Sequence, residues 1–108
     1  MTLQQLGTLE LRVGTIRAAE PNPKARNPAY VLRIDLGPLG IKTSSAQITE
    51  RYTPGELVGR QVVCVCNLEP KRVAGVKSEV LTVGVYTSDG SVTLVSIDHP
   101  AENGSLLA

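Results

Sequence analysis

The chain lacks phenylalanine and tryptophan, and its aromatic residues are three tyrosines, Tyr30, Tyr52 and Tyr86. A core without Phe or Trp must be assembled from Val, Leu, Ile and Ala. Three tyrosines at most do not make a base-stacking platform, which counts against a generic single-strand binder. There is one histidine, His99, beside Pro100, so no nucleophile has a histidine partner. No glycine-rich phosphate cradle followed by Lys-Ser/Thr occurs. Catalysis is therefore not expected, and no cofactor is called for. The two cysteines, Cys64 and Cys66, are too few for a zinc set. They sit two apart in Gln61-Val-Val-Cys-Val-Cys-Asn-Leu68, which reads as a buried strand. Residues so spaced share a face at about 6.6 Å with parallel Cβ vectors, a poor geometry for a disulfide. Core or half-buried free thiols are expected. No apolar run approaches a membrane span, and residues 1–11 lack a positive n-region, which implies a cytoplasmic protein without membrane insertion.

What is present fits one folded domain, residues 1–108. Hydrophobic residues make up 42% and charged residues 19% of the 108. The formal net charge is only +1. Its distribution is uneven. All eleven basic residues lie between Arg12 and Lys77, a span holding five acids (Glu20, Asp35, Glu50, Glu56, Glu69). The remaining acids, Glu10, Glu79, Asp89, Asp98 and Glu102, lie outside it. A basic face aimed at an anionic partner is one reading, and scattered surface charge is the other.

Short strands separated by turn signals dominate. Leu9 to Ala18 reads as a strand with Gly14 at a bulge or bend. Pro21, Pro23 and Pro28 punctuate a loop carrying Lys24 and Arg26. Tyr30 to Leu36 is a second strand, Gly37-Pro-Leu-Gly40 a hairpin turn and Ile41 to Ser45 the returning strand. Thr53 as N-cap, Pro54, Glu56 as capping-box partner and Gly59 as stop mark a short helix. Gln61 to Leu68, Glu79 to Tyr86 and Val92 to Ile97 complete the strands, with a turn at Ser88-Asp-Gly-Ser91. A helix between the third and fourth strands of a small Greek-key barrel is the OB-fold arrangement: all-β, five-stranded, with short terminal extensions. Another small barrel of SH3 type is the competitor.

The segment Asn67-Leu-Glu-Pro-Lys-Arg-Val-Ala-Gly-Val-Lys-Ser-Glu-Val-Leu81 carries the densest chemistry. Lys71, Arg72 and Lys77 could form a basic loop at a barrel mouth, with Ser78 and backbone N–H groups positioning phosphates. A solvated hairpin with charges paired to Glu69 and Glu79 is the other reading.

This segment resembles the Asn-x-x-Pro-(Lys/Arg)-x-x-x-Gly-x-x-Ser-x-x-Leu/Met signature of the tRNA-binding domain family of OB folds. Leu11-Arg-Val-Gly-Thr-Ile16 is similar to that family's first strand, and Tyr52-Thr-Pro-Gly-Glu-Leu-Val-Gly59 to its short helix. Lys24-Ala-Arg-Asn-Pro-Ala-Tyr30, Gly37-Pro-Leu-Gly-Ile-Lys42 and Ser44-Ser-Ala-Gln-Ile-Thr49 resemble its CsaA-like branch of small export-related chaperones. Many tRNA-binding members read Ser-x-Gly-Met where this chain has Ser78-Glu-Val-Leu81, the form of the CsaA-like branch. The resemblance implies a homodimeric chaperone for unfolded or pre-export polypeptides, with structured-RNA (tRNA) binding by shape and backbone as the alternative. Apolar pockets lined by Val76, Val80 and Leu81 would hold an extended chain, unless those residues are core. The implied binding residues are Lys24, Arg26, Lys42, Asn67, Lys71, Arg72, Lys77, Ser78, Glu79 and Leu81. The implied dimer contacts are Leu3, Leu6, Leu106 and Leu107, in extensions spanning 1–8 and 98–108.

Overall fold

The computed structural model describes residues 9–108. Three strands open it as an antiparallel meander: β1 (Leu11–Pro21), β2 (Tyr30–Asp35) and β3 (Ile41–Ala46). The helix α1 (Pro54–Leu57) follows, then β4 (Gln61–Val65) and, after a hairpin, β7 (Leu81–Thr82). The sheet order is β3-β2-β1-β4-β7. That hairpin is β5 (Lys71–Val73) with β6 (Val76–Ser78), and a second one pairs β8 (Gly84–Tyr86) with β9 (Val92–Leu94).

The sheet curls until its two edges meet. The N–H groups of Glu79 and Val80 both donate to the Thr43 carbonyl, at 2.7 and 3.3 Å, and the Thr82 hydroxyl donates to Ser44 Oγ at 2.8 Å. The result is a nearly closed five-stranded antiparallel barrel with one short helix, an OB-like fold as the order of elements predicts.

Inward positions follow the strand period. Ile16, Leu32, Ile34, Leu36, Val62 and Cys64 are fully buried, and Leu57 adds the helix's one buried side chain. A four-residue helix cannot persist alone. It is held by Leu57 and by a capping box, in which the Thr53 N–H donates to Glu56 Oε1 at 3.0 Å. Tyr30, the one buried tyrosine, keeps its hydroxyl satisfied by donating to the Tyr52 carbonyl at 2.7 Å. Gly14 is a close approach and not the bulge itself. A Cβ there would lie 2.5 Å from Ile34 Cγ2 and 2.8 Å from Leu36 Cδ2. The register shift falls three residues later, between Ile16 and Ala18.

Three strand expectations change. The span Glu79 to Tyr86 is split, because Glu79 and Val80 serve the barrel seam and the chain passes from β4 to β9 at Val83. Gln61 to Leu68 stops at Val65, where the Cys66 N–H turns to the Glu10 carbonyl at 2.8 Å. Val92 to Ile97 stops at Leu94. The segment from Lys71 to Lys77 is a hairpin, closed by Ala74 and Gly75 at φ 46° and 82°, but among the described residues its three bases do not pair with Glu69 or Glu79. Positive φ at both turn residues is the primed geometry that suits strand twist.

Both cysteines are free; Cys64 is in the core and Cys66 half-buried. Burial, with Cys66 nearby, pushes the Cys64 thiol up to about 12. The C-terminal segment lies along the start of β1, which β2 leaves unpaired before Thr15: Gly104 N–H donates to the Val13 carbonyl at 2.7 Å, Val13 N–H to the Ser105 carbonyl at 2.9 Å and Leu107 N–H to the Leu11 carbonyl at 3.1 Å. Among the described residues, no helix is long and apolar enough to cross a membrane, and no three metal-ligating side chains are grouped to hold an ion.

Candidate functional site

The β5–β6 hairpin stands between two concavities. It is docked from outside the barrel by the loop of residues 22–29, whose ends are tied by the Asn22 N–H on the Ala29 carbonyl at 3.0 Å. Asn22 is buried there; its Nδ2 donates to the Ala74 carbonyl at 3.3 Å and its Oδ1 accepts the Lys24 N–H at 3.0 Å. One asparagine thus fixes the loop to the hairpin tip.

Between that loop, the hairpin and the outer face of β2 and β3 lies a cavity of about 530 Å³. This is the location at which OB folds present ligand surfaces, strands 2 and 3 with the flanking loops. Lys24, Arg33 and Lys77 line it, with Val31, Thr43 and Val76. Glu20 and Glu79 line it too.

Ion pairing and ring contact sort the eleven bases into three groups. Arg12 pairs with Glu10, Arg17 with Asp35, Lys42 with Glu79 and Arg51 with Asp89. Arg60 lies over the Tyr52 ring at 5.5 Å and donates to the Glu56 carbonyl at 3.0 Å. The other six, Lys24, Arg26, Arg33, Lys71, Arg72 and Lys77, have no carboxylate partner among the described residues. All six belong to the 22–29 loop, β2 or the hairpin. Arg72 and Lys77 even face each other across the hairpin, an arrangement that disfavours the fold on its own. The uneven charge of the sequence thus gathers bases without carboxylate partners in these three neighbouring elements.

On the far side of the hairpin a groove of about 750 Å³ runs between residues 45–50 and residues 81–86, with Lys71 and Val73 at the hairpin and residues 90–92 completing it. Its wall carries three exposed apolar side chains, Leu81, Val85 and Tyr86, at 51%, 53% and 84% exposure. The turn beside it is densely hydrogen-bonded. The Ser91 and Thr87 hydroxyls and the Ser91 N–H all donate to Asp89, and Arg51 lies alongside. These bonds hold the Asp89 carboxyl well below the usual carboxylate range.

The residues expected from the sequence divide among these places. Lys24 and Lys77 line the basic cavity, Lys71 and Leu81 line the groove, and Arg26 and Arg72 are exposed beside them. Lys42, Ser78 and Glu79 belong to the barrel seam, although Glu79 also reaches the cavity. Ser78 Oγ accepts the Ser45 N–H at 3.0 Å, Glu79 Oε1 accepts the Thr43 N–H at 3.1 Å, and Lys42 Nζ lies 3.9 Å from Glu79. Side chains here complete the pairing that backbone alone leaves unmade between β3 and β6. Asn67 sits elsewhere, accepting the Glu10 N–H at 2.8 Å where the chain enters β1. Val80 is core. Leu106 is half-exposed on the C-terminal segment and Leu107 partly buried; Leu3 and Leu6 lie outside the described residues. Arg33, Val85 and Tyr86 were not singled out by the motifs. Arg33 had a signal, a charge between Leu32 and Ile34 that strand alternation turns outward.

Chains of known structure share this architecture. The chaperone CsaA of Bacillus anthracis is 47% identical, with a TM-score of 0.90 over 100% of this chain and 98% of that one. The CsaA chaperone of Picrophilus torridus is 38% identical, with a TM-score of 0.89 over 100% of this chain and 99% of that one. A methionine–tRNA ligase of Leptospira biflexa is 38% identical over 107 residues, 99% of this chain but 15% of the ligase. The chain thus spans only a small part of the ligases it matches. These matches are to a tRNA-binding domain and to chaperone-named proteins, not to catalytic domains. Residues 11–106 match the family model described as "Putative tRNA binding domain", and with the barrel and the relatives beside that match, the chain belongs to the tRNA-binding domain family.

Proposed function

We propose that the protein is a CsaA-type chaperone that holds unfolded or pre-export polypeptide in the groove beside β7 and β8. The observation that carries this reading is the open groove with Leu81, Val85 and Tyr86 exposed along one wall. Clustered exposed apolar side chains on a small barrel mark a binding surface. Whole-chain similarity to two chaperone-named structures supports it. In this reading the protein works in the cytoplasm as a homodimer, residues 1–108 form one binding domain, and no chemical step or cofactor is involved. The extensions supply the dimer contact, through Leu3, Leu6, Leu106 and Leu107. Aggregation of a chemically denatured protein, followed by light scattering with stoichiometric chaperone, is the test. Suppression that is lost in Leu81→Ser/Val85→Ser supports the reading; no suppression by the parent protein ends it.

A second reading has its own observation. Three cations without carboxylate partners, Lys24, Arg33 and Lys77, line the cavity that OB folds use for ligands, and Arg26, Lys71 and Arg72 belong to the loop and hairpin that frame it. That surface suits the phosphate backbone of a structured RNA such as tRNA. The ligand residues would be Lys24, Arg26, Arg33, Lys71, Arg72 and Lys77. Lys42, Ser78 and Glu79 would act by holding the seam. Changing Lys24, Arg33 and Lys77 together to Ala should reduce the slope of log affinity against log salt by about 2–3. An unchanged slope with unchanged affinity would dismiss it.

A further inference from the structure

The strand order leaves one edge open on the groove. β8 pairs only with β9, in a sheet of two strands. The Val83 carbonyl accepts the Val95 N–H at 3.1 Å, and the Thr87 N–H donates to Ser91 at 2.8 Å. The Val83 carbonyl, the backbone groups of Val85 and the Thr87 N–H therefore turn toward β9, while the Val83 N–H still donates to the Val63 carbonyl of β4 at 2.8 Å. Neighbouring residues of a strand point theirs the opposite way, so the N–H and C=O groups of Gly84 and Tyr86 face away from β9. Both residues line the groove. Among the described residues, no strand pairs with that edge.

Exposed edges are normally blunted by charge, proline, a bulge or a covering element. Residues 81–87, Leu-Thr-Val-Gly-Val-Tyr-Thr, contain neither a charge nor a proline. Val85 and Tyr86 are exposed on it. The glycine between them and Leu81 is required by packing: a Cβ at Gly84 would come within 2.6 Å of Val92 Cγ1 and 3.0 Å of the Thr93 carbonyl oxygen. An unprotected apolar edge is an aggregation hazard unless it has a use.

We infer that β8 receives its ligand by strand addition, with an extended, uncharged polypeptide segment pairing its backbone to Gly84 and Tyr86 in the groove. The inference rests on the polypeptide reading above and specifies how that site recognises its clients. Backbone pairing is blind to sequence, which suits a protein that accepts many unfolded chains. Alternate side chains of the segment would meet the apolar wall and supply preference. The neutral wall from Leu81 to Tyr86 selects an uncharged segment with β-branched residues.

The probe is a capped, labelled peptide of alternating valine and serine, added to the full chain. Amide hydrogen exchange is read by NMR, and affinity by anisotropy. Strand addition predicts that peptide slows exchange at Gly84 and Tyr86, while Val85, already paired to β9, changes little. Tyr86→Pro, which removes the groove-facing N–H at a position whose N–H does not bond to β9, should weaken binding more than about tenfold relative to Tyr86→Ala, which keeps that N–H, with an unchanged unfolding midpoint between the two variants as the control for the fixed φ of proline. Binding with unchanged exchange at both amides, and equal affinity in the two variants, overturns strand addition while leaving the polypeptide reading standing. No binding of the peptide removes both. Protection of the two amides in the free protein that grows with protein concentration would place a second copy on the edge, and would also overturn the inference.

Discussion

Removing the Glu79 carboxylate tests whether the Ser78-Glu79 pair holds the barrel or holds ligand. In Glu79→Ala, the Thr43 N–H loses its acceptor at 3.1 Å. Thr43 is half-buried, so water replaces that bond only in part. The cost is about 1–2 kcal/mol. The Lys42 contact, at 3.9 Å with both side chains about a third exposed, adds about 0–1 kcal/mol. Ser78→Ala leaves the Ser45 N–H without its 3.0 Å partner, at about 1 kcal/mol. Both changes strike one seam, so the double variant should depart from additivity by about 0.5 kcal/mol or more. Urea unfolding should show lower midpoints at constant slope, and thermal unfolding a fall of roughly 4–8 °C per kcal/mol. Polypeptide binding, measured well below the unfolding midpoint, should change little, and RNA binding should not fall, since a carboxylate is removed from the lining of the basic cavity. Stability within about 0.3 kcal/mol of the parent, with ligand binding lost, would refute the seam and restore both residues as ligand contacts.

Three further outcomes follow from the same structure. Gly14→Ala drives a methyl group against Ile34 and Leu36 and should cost about 1–3 kcal/mol in urea unfolding; a neutral result would mean that the β1–β2 crossing yields. Asp89 has its folded-state pKa depressed, so its contribution is complete above the ordinary carboxylate value near 3.9 and is lost as pH falls below it; Asp89→Asn should flatten the acid limb of stability, and an unchanged limb would exclude this group. With its thiol pushed up to about 12, Cys64 should resist Ellman's reagent at pH 8 until the protein unfolds, and rapid labelling of Cys64 in the native protein would contradict its burial.

Much of the barrel is legible in single residues. Leu32 and Ile34 inward with Arg33 outward states the period of β2, and Thr53 to Glu56 states the helix. The hairpin turn at Gly37 is equally local, since Leu39 and Gly40 bond back to Leu36 and Gly37 within it. What sequence conceals is pairing between distant residues. Ser78 and Glu79 read as ligand chemistry because the Ser45 and Thr43 amides they satisfy lie more than thirty positions away. Which lysines and arginines are free is likewise invisible until their carboxylates are placed: Arg17 and Arg33 look alike in the chain, but only Arg17 has Asp35 beside it. Tyr86 carried no motif, and its exposure follows from how β8 leaves the barrel after Val83. The residues that the family signature implied fall on two surfaces, which the β5–β6 hairpin keeps apart.

The central claim is that polypeptide and RNA, if both bind, use different sides of that hairpin. A side-by-side titration tests it most directly: labelled unfolded polypeptide and labelled tRNA, each at several salt concentrations, against the parent and two variants. Leu81→Ser/Val85→Ser should lose polypeptide and keep tRNA. Lys24→Ala/Arg33→Ala/Lys77→Ala should lose salt-dependent tRNA binding and keep polypeptide. Loss of both ligands in either variant would contradict the account and return the two activities to one surface.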